Sequence, residues 1–247
     1  VNNALHVTGI VLKSDPVGEN DKRVVLLTRE RGEISAFARG ARRPNSHLLS
    51  ATNLFSYGEF ELYEGRNSYT IKSFHLEKAF MELSEDLTRV AYASYFTEVA
   101  SYYGQEGMDE SQRILLLYQS YRALSSGKFP PEFLKAVYEL KTMALSGDYP
   151  NVYECMECSS TEDLVGFSME KRGCLCKKHY TSVVGNRPLS PSCLYAVQFV
   201  ISTKMASLYS FRLAEDVERE FIQFVRDYRK RFFHHRYKSE EMLAILQ

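Results

Sequence analysis

The feature that most limits what this chain can fold into is a pair of short knuckles, Cys155-x-x-Cys158 and Cys176-x-x-His179, with residues 159–175 between them. Two such knuckles at this separation can present four ligands as a tetrahedron, the geometry of a structural zinc site. Four of the five cysteines fall between positions 155 and 176, which scattered cysteines would rarely do. The set is closed. With four protein ligands no position is left for water or substrate, so Zn2+ bound there would hold structure and would not do chemistry. Cys174 competes with Cys176 for the third place, because both thiols lie near the second knuckle; the repeated two-residue spacing favours Cys176. Other readings are a group of free thiols, or redox use of Cys155 and Cys158, which would leave the second knuckle unexplained. Cys193 stands apart and reads as a small buried hydrophobe.

A metal cluster of this kind sits in an otherwise ordinary globular composition. The 247 residues are enough for one large domain or two to three small ones, with 45% hydrophobic and 25% charged residues. Lys+Arg and Asp+Glu both total 31, so any argument about partners must rest on local charge. No apolar run approaches about eighteen residues, which excludes a helical membrane span. The stretch from Val1 to His6 lacks the basic head and apolar block of a signal peptide. Clustered cysteines without such a leader point to a reducing cytoplasm and to metal, not to disulfides.

Residues 4–76 read as β. Val7 to Leu12 is rich in β-branched residues, Asp15-Pro16-Val17-Gly18 reads as a turn, and Arg23 to Thr28 is the next apolar run. Ile34 to Arg39 alternates, and Tyr57–Tyr63 and Tyr69–Phe74 flank Glu64-Gly65-Arg66-Asn67-Ser68, a good hairpin turn. Five short strands at this length suit a small barrel such as the OB-fold, with an SH3-like barrel as the competing shape. After about residue 78 the period changes. Leu83, Leu87, Val90 and Ala91 recur at helical steps, Ile114–Leu124 forms a second helix, and Pro130-Pro131 starts a third that Ser146-Gly147 ends. Pro188 and Pro191 introduce a helix through Ile201, and a long helix spans about 213–233. The expectation is an α+β multidomain chain: an N-terminal five-stranded OB-fold barrel (1–78), then an α-helical domain (79–247) with a zinc-binding insertion at about 150–180.

Two basic segments could carry function. Arg39-Gly40-Ala41-Arg42-Arg43-Pro44 has three arginines, and no acidic residue occurs from Ile34 to Gly58. Gly40 and Pro44 argue for a loop leaving a strand. Closely spaced guanidinia on a barrel rim suit phosphate contacts, which position nucleic acid without reading sequence; a solvated polar loop is the plainer alternative. The stretch Arg226 to Arg236 mixes cations with aromatics and could add to such a surface, or could be the charged outer face of an amphipathic helix. Lys171, Arg172, Lys177 and Lys178 add charge around the knuckles. The phosphate-binding, zincin and nucleophile-elbow motifs are absent, and the adjacent His234 and His235 would diverge on a helix, so the chain is expected not to be an enzyme.

With these residues laid out, the chain resembles the bacterial RecO family of recombination mediator and DNA repair proteins. The likeness rests on Thr8–Lys13, Gly18–Lys22, Leu26–Gly32 and above all Ala38–Ser46. It continues in Leu140-Lys141, in Gly147–Pro150 leading into Cys155-x-x-Cys158, and in Phe167-Ser168 with Gly173-x-x-Cys176. The resemblance implies an OB-fold, a helical domain and an inserted zinc element. It implies binding of single- and double-stranded DNA, strand annealing, and partnership with RecR, with the C-terminal tail of the single-stranded DNA-binding protein SSB, and with RecF. Together these would help load RecA on SSB-coated DNA in the RecF-type pathway, in the bacterial cytoplasm at the nucleoid. Many relatives place cysteine where this chain has His179, an acceptable ligand. The expected site residues are Cys155, Cys158, Cys176 and His179 for metal, and Arg23, Arg39, Arg42 and Arg43 for DNA. The competing reading is an adaptor that recruits repair partners through its helical domain, with only incidental DNA contact.

Overall fold

A computed structural model describes residues 4–66 and 68–246; Asn67, in the predicted hairpin turn, and residues 1–3 lie outside that range. The first five strands are β1 (Ala4–Val17), β2 (Asp21–Thr28), β3 (Gly32–Ala38), β4 (Tyr57–Glu64) and β5 (Tyr69–Lys78). They close a barrel in the order β1-β2-β3-β5-β4. β1 pairs antiparallel with both β2 and β4, and β3 meets β5 in parallel at Ala36–Tyr69 and Phe37–Thr70. Five strands closed in this Greek-key order are an OB-fold, and the parallel closure decides against the SH3-like alternative. The two-residue strand period turns Val24, Leu26, Ile34, Ala36, Phe60, Leu62 and Ile71 inward as one core. Each of the valine, leucine, isoleucine and phenylalanine side chains contributes about 1.5–3 kcal/mol by leaving water. The same period leaves Glu33, Ser35 and Phe37 on the outer face of β3.

One turn lies elsewhere than the sequence suggests. β1 does not end at Asp15-Pro16 but runs through Val17, and the chain reverses at residues 18–20. β4 pairs with β1 only as far as Ile10, so residues 13–17 bond to β2 alone. A proline is tolerated on such a one-sided stretch, because its missing N–H is not needed by a second neighbour.

The remaining elements are α1 (Leu87–Tyr103), α2 (Ser111–Ser126), α3 (Pro131–Leu145), β6 (Leu164–Ser168), β7 (Gly173–Cys176), β8 (Asn186–Pro188), α4 (Pro191–Ser202), α5 (Glu215–Phe232) and α6 (Ser239–Ile245). Local chemistry sets several boundaries. Asp86 caps α1 by accepting the Arg89 N–H at 2.8 Å, so Leu83 falls before the helix in a short 3-10 turn. α2 ends at Gly127 in the left-handed region, and Ser190 caps α4 by accepting the Cys193 N–H. α5 begins with Glu215, Asp216 and Glu218 and ends with Arg229, Lys230 and Arg231, which suits the helix dipole at both ends. α5 stops at Phe232, so His234 and His235 follow the helix and are not part of it. β6, β7, β8 and α6, short and without a long periodic pattern, have no counterpart as elements in the sequence reading.

The chain divides into two compact units. Unit 2 is Phe129–Arg236; unit 1 is the described chain on either side of it, the barrel with α1, α2 and α6. The boundary read from sequence at residue 78 marks the change from strand to helix. The compact-unit boundary falls later, after α2.

Unit 2 packs α3, α4 and α5 with a three-stranded sheet in the order β7-β6-β8. Phe133, Phe221, Phe224 and Tyr228 are buried there. Lys141 is buried as well, and its Nζ donates to the carbonyls of Ile201 (2.9 Å) and Thr203 (2.7 Å). It thereby takes up backbone acceptors that the end of α4 leaves open. Burial lowers its pKa.

Candidate metal centre and nucleic-acid interface

The β6–β7 hairpin carries the second knuckle at its end, and the loop before β6 carries the first. Each knuckle is a tight turn built from backbone bonds. In the first, the Cys155 N–H donates to the Ser160 carbonyl and the Ser159 N–H to the Cys155 carbonyl, both at 2.8 Å. In the second, the N–H groups of His179 (2.9 Å) and Tyr180 (2.8 Å) both reach the Cys176 carbonyl. Two glycines allow the close approach. A Cβ on Gly166 would lie 2.1 Å from the Tyr180 ring, and one on Gly173 would lie 2.4 Å from the Met156 sulfur. Phe167 fastens the hairpin to the helices of unit 2, its ring 4.9 Å from that of Phe224 in a T-shaped contact. Arg172, at the hairpin tip, lies over the Phe232 ring at 4.5 Å.

These turns bring Cys155, Cys158, Cys176 and His179 together, with one ligand atom from each within 4.8 Å of all the others. Cys158 Sγ and Cys176 Sγ are 3.8 Å apart, Cys155 Sγ and His179 Nδ1 3.7 Å, and Cys176 Sγ and His179 Nδ1 3.3 Å. A tetrahedron with metal–sulfur bonds of about 2.3 Å has edges of roughly 3.8 Å, a little shorter toward nitrogen. The donor set and its spacing fit a metal ion. Cys174 lies outside the group, buried within β7. Burial first, and then the charge of Cys155, push its thiol up to about 12.

The four groups act on one another's protonation. Burial would raise the Cys155 thiol. The backbone N–H groups of Cys176, Glu157 and Cys158, with the His179 ring, outweigh it and bring the thiol down to about 6. His179 is raised, first by its bond to Cys176 and then by that to Cys155. Cys176 is lowered: burial acts against the shift, and the N–H of Lys178 and the His179 ring prevail. Cys158 is raised: the Ser160 N–H pulls it down, while desolvation and the neighbouring sulfurs push it up further.

In unit 1, the arginine-rich segment follows β3 as an irregular loop. Gly40 sits at φ 69°, a left-handed conformation that glycine adopts without a Cβ penalty. The loop is fastened to the β1–β2 turn by three bonds. The Gly40 N–H donates to Asp21 Oδ1 at 2.7 Å, the Arg42 N–H to the Asn20 carbonyl at 2.9 Å, and Arg42 Nη1 to the Gly18 carbonyl at 2.9 Å. Arg39, Arg42 and Arg43 are all exposed. Arg23, also exposed, stands on β2 with its Nε donating to Ser35 Oγ at 2.7 Å. Among the described residues, none of these four arginines makes an ion pair.

The second basic stretch is more engaged. Arg226 pairs with Glu132 at 2.9 Å and Arg229 with Glu139 at 3.4 Å, both inside unit 2. Lys171 pairs with Glu157. Lys177, Lys178, Lys230, Arg231 and Arg236 are exposed and free of ion pairs among the described residues. What sequence reasoning missed is the role of Asp21 and of the Gly18 and Asn20 carbonyls. No local pattern marks them, because their partners lie some twenty residues on.

Comparison with known proteins divides the chain where strands give way to helices, not at the compact-unit boundary. A family model described as Recombination protein O N terminal matches residues 4–80, and one described as Recombination protein O C terminal matches residues 84–241. The chain is 31% identical over 245 residues to the DNA repair protein RecO of Acetivibrio thermocellus, covering 99% of this chain and 98% of that protein. It is 31% identical over 246 residues to the RecO of Symbiobacterium thermophilum, with 98% and 97% covered. To the RecO of Halalkalibacterium halodurans it is 34% identical over 170 residues, with 69% and 66% covered. Among the described residues, no helix is long and apolar enough to cross a membrane.

Proposed function

The chain belongs to the RecO family of DNA repair and recombination proteins, and on that footing we propose that it is a non-enzymatic mediator that binds DNA and anneals complementary strands. The observation that carries this reading is the loop of Arg39, Arg42 and Arg43: three exposed guanidinia without acidic partners, fastened to the rim of an OB-fold barrel, with Arg23 on the adjacent outer face. Cations presented this way neutralise phosphate and release counterions, so they hold single or double strands with little regard for sequence. Two strands screened by one surface repel each other less, and their bases stay free to pair. No nucleotide hydrolysis enters this mechanism. By its family the protein would work with RecR, RecF and the C-terminal tail of SSB, helping RecA onto SSB-coated DNA in the cytoplasm, at the nucleoid.

Zinc is the metal we assign to the four-ligand cluster. Three sulfurs and one imidazole nitrogen at tetrahedral spacing suit Zn2+ and leave no ligand position for catalysis. Cys155, Cys158, Cys176 and His179 would hold it, and its part would be to brace the hairpin.

The test is annealing of complementary oligonucleotides by the purified protein across a salt series, without nucleotide. Salt-sensitive annealing that drops in the Arg42→Ala, Arg43→Ala double variant is the expected result. Undiminished DNA affinity in that variant at moderate salt would remove the loop as the contact surface.

A further inference from the structure

The outer face of β3 changes sign along its length. Ser35 receives Arg23, and the arginine loop follows the strand's end; two residues the other way, Glu33 turns into a recess of about 440 Å³ in unit 1. Leu12, Val25, Leu54 and Phe55 supply apolar walls, and α1 supplies Glu98 and Ser101. Leu54 stands at 49% exposure, an uncovered apolar side chain beside a carboxylate.

Glu33 is the unusual group here. Its Oε2 accepts the Ser101 hydroxyl at 2.5 Å, and no other bond and no ion pair reaches it among the described residues. Desolvation raises its pKa, against a smaller downward pull from Ser101. The one lysine bordering the recess, Lys13, is turned to Asp15 at 3.0 Å. Glu98 is engaged with α6: Oε1 accepts the Lys238 N–H, and Oε2 accepts both the N–H and the hydroxyl of Ser239. The recess therefore holds an acid without a counter-cation, partly removed from water, beside apolar walls.

We propose that this recess docks an arginine side chain presented by a protein partner, its alkyl stem along Leu12, Val25, Leu54 and Phe55 and its guanidinium on Glu33. A neutral apolar occupant would bury the carboxylate further without compensating its charge. Nucleic acid is disfavoured, since Glu33 and Glu98 repel phosphate. Between the two basic side chains, arginine fits better: its guanidinium is flat, weakly hydrated and forks onto a carboxylate, whereas an ammonium keeps its water. Arginines in partly desolvated pockets are also among the side chains that carry most of an interface's binding energy. The site is separate from the arginine loop, so the inference stands or falls independently of DNA binding.

The test uses the full, metal-loaded chain with labelled Leu and Val methyl groups, titrated with butylguanidinium. The expected result is saturable shifts at Leu12, Val25 and Leu54 with a Kd on the order of 1–10 mM, as suits so small a ligand. Butylammonium should bind several-fold more weakly, and the uncharged butylurea should not bind. Glu33→Gln, which keeps the shape, should abolish the shifts while the protein remains folded. N-acetyl-arginine methylamide should bind at least as tightly as the bare group. Three outcomes would overturn the proposal: equal shifts from butylurea, binding unaltered in Glu33→Gln, or no shift at concentrations on the order of 100 mM. Binding of butylguanidinium with exclusion of the peptide-borne arginine would overturn the assignment of a protein partner.

Discussion

The arginine loop of unit 1 and the cysteine knuckles of unit 2 are both irregular segments leaving short strands, and they are ordered by opposite means. The knuckles place four side chains within 4.8 Å of one another around a site that fits a metal ion. Backbone bonds close each turn, and the four candidate ligands lie at short spacing along one stretch of chain. The arginine loop has no such centre. Its shape comes from hydrogen bonds to the β1–β2 turn, through Asp21 and the Gly18 and Asn20 carbonyls, while its charged ends point to solvent. One segment turns its polar side chains toward one another; the other is held by two of its backbone N–H groups and by the Arg42 side chain, and keeps Arg39 and Arg43 available. A segment of the second kind can serve a changing ligand, because what it binds is not what shapes it.

The sharpest way to break this comparison is to take away the centre that only one region has. Cys158→Ser, or a strong chelator, should cost the hairpin on the order of several kcal/mol, given how much folding energy structural zinc supplies to small domains. Thermal unfolding would show the loss, and a change under about 0.5 kcal/mol would deny the knuckles their bracing role. The Arg42→Ala, Arg43→Ala variant should behave in the reverse sense. Its stability should fall by no more than about 1 kcal/mol, for the lost bond to the Gly18 carbonyl. Its log–log salt dependence of DNA affinity should flatten by about 2, one phosphate contact for each arginine.

Asp21→Ala separates charge from order within the loop. Removing an acid bonded to the arginine loop would by itself strengthen DNA binding. If fastening matters more, affinity should fall a few-fold despite the gain in net charge, with about 1–2 kcal/mol lost from stability as the Gly40 N–H goes unpaired. Tighter binding would show that the loop needs no anchor.

The smallest expected effect belongs to Glu33. Its pKa is raised in the folded protein, so ionising it costs more folded than unfolded. It therefore subtracts stability above its folded pKa, and that loss is recovered as pH falls from there toward the ordinary carboxylate range. Glu33→Gln should be slightly more stable at neutral pH, within about 0.5 kcal/mol, and should lack this part of the acid-side gain in a pH series of denaturant melts.

The two regions also differ in how far sequence alone reveals them. The knuckles are legible because their candidate ligands repeat at fixed short spacing, and the structure groups Cys176, not Cys174, with the other three. The barrel was legible from alternation, although β1 overran the turn that Pro16 suggested, since a one-sided strand tolerates proline. The arginines were visible as a charged loop, but the bonds that shape it join residues 18–21 to residues 40–42, and no local pattern carries them. The recess at Glu33 is further from reach still. It forms where β1, β3, the 54–55 segment and α1 meet, and its character depends on Lys13 being turned to Asp15. α6 escaped notice because seven residues hold too little periodicity to stand out.

That last helix has a consequence for how the protein is made. Unit 2 is enclosed within unit 1 along the chain, so α6 leaves the ribosome only after the whole of residues 129–236. Until then the side of α1 that receives it stays uncovered. Tyr95, whose ring meets that of Tyr237 at 5.5 Å, has lost that neighbour, and Glu98 lacks the N–H groups of Lys238 and Ser239. The barrel, the first part synthesised, can form early, yet its own unit is completed last. A nascent chain stalled anywhere in the second unit would present a bare aromatic and acidic helix face to the cell, and chaperones would meet the first unit's helices, not its strands, as the unfinished part.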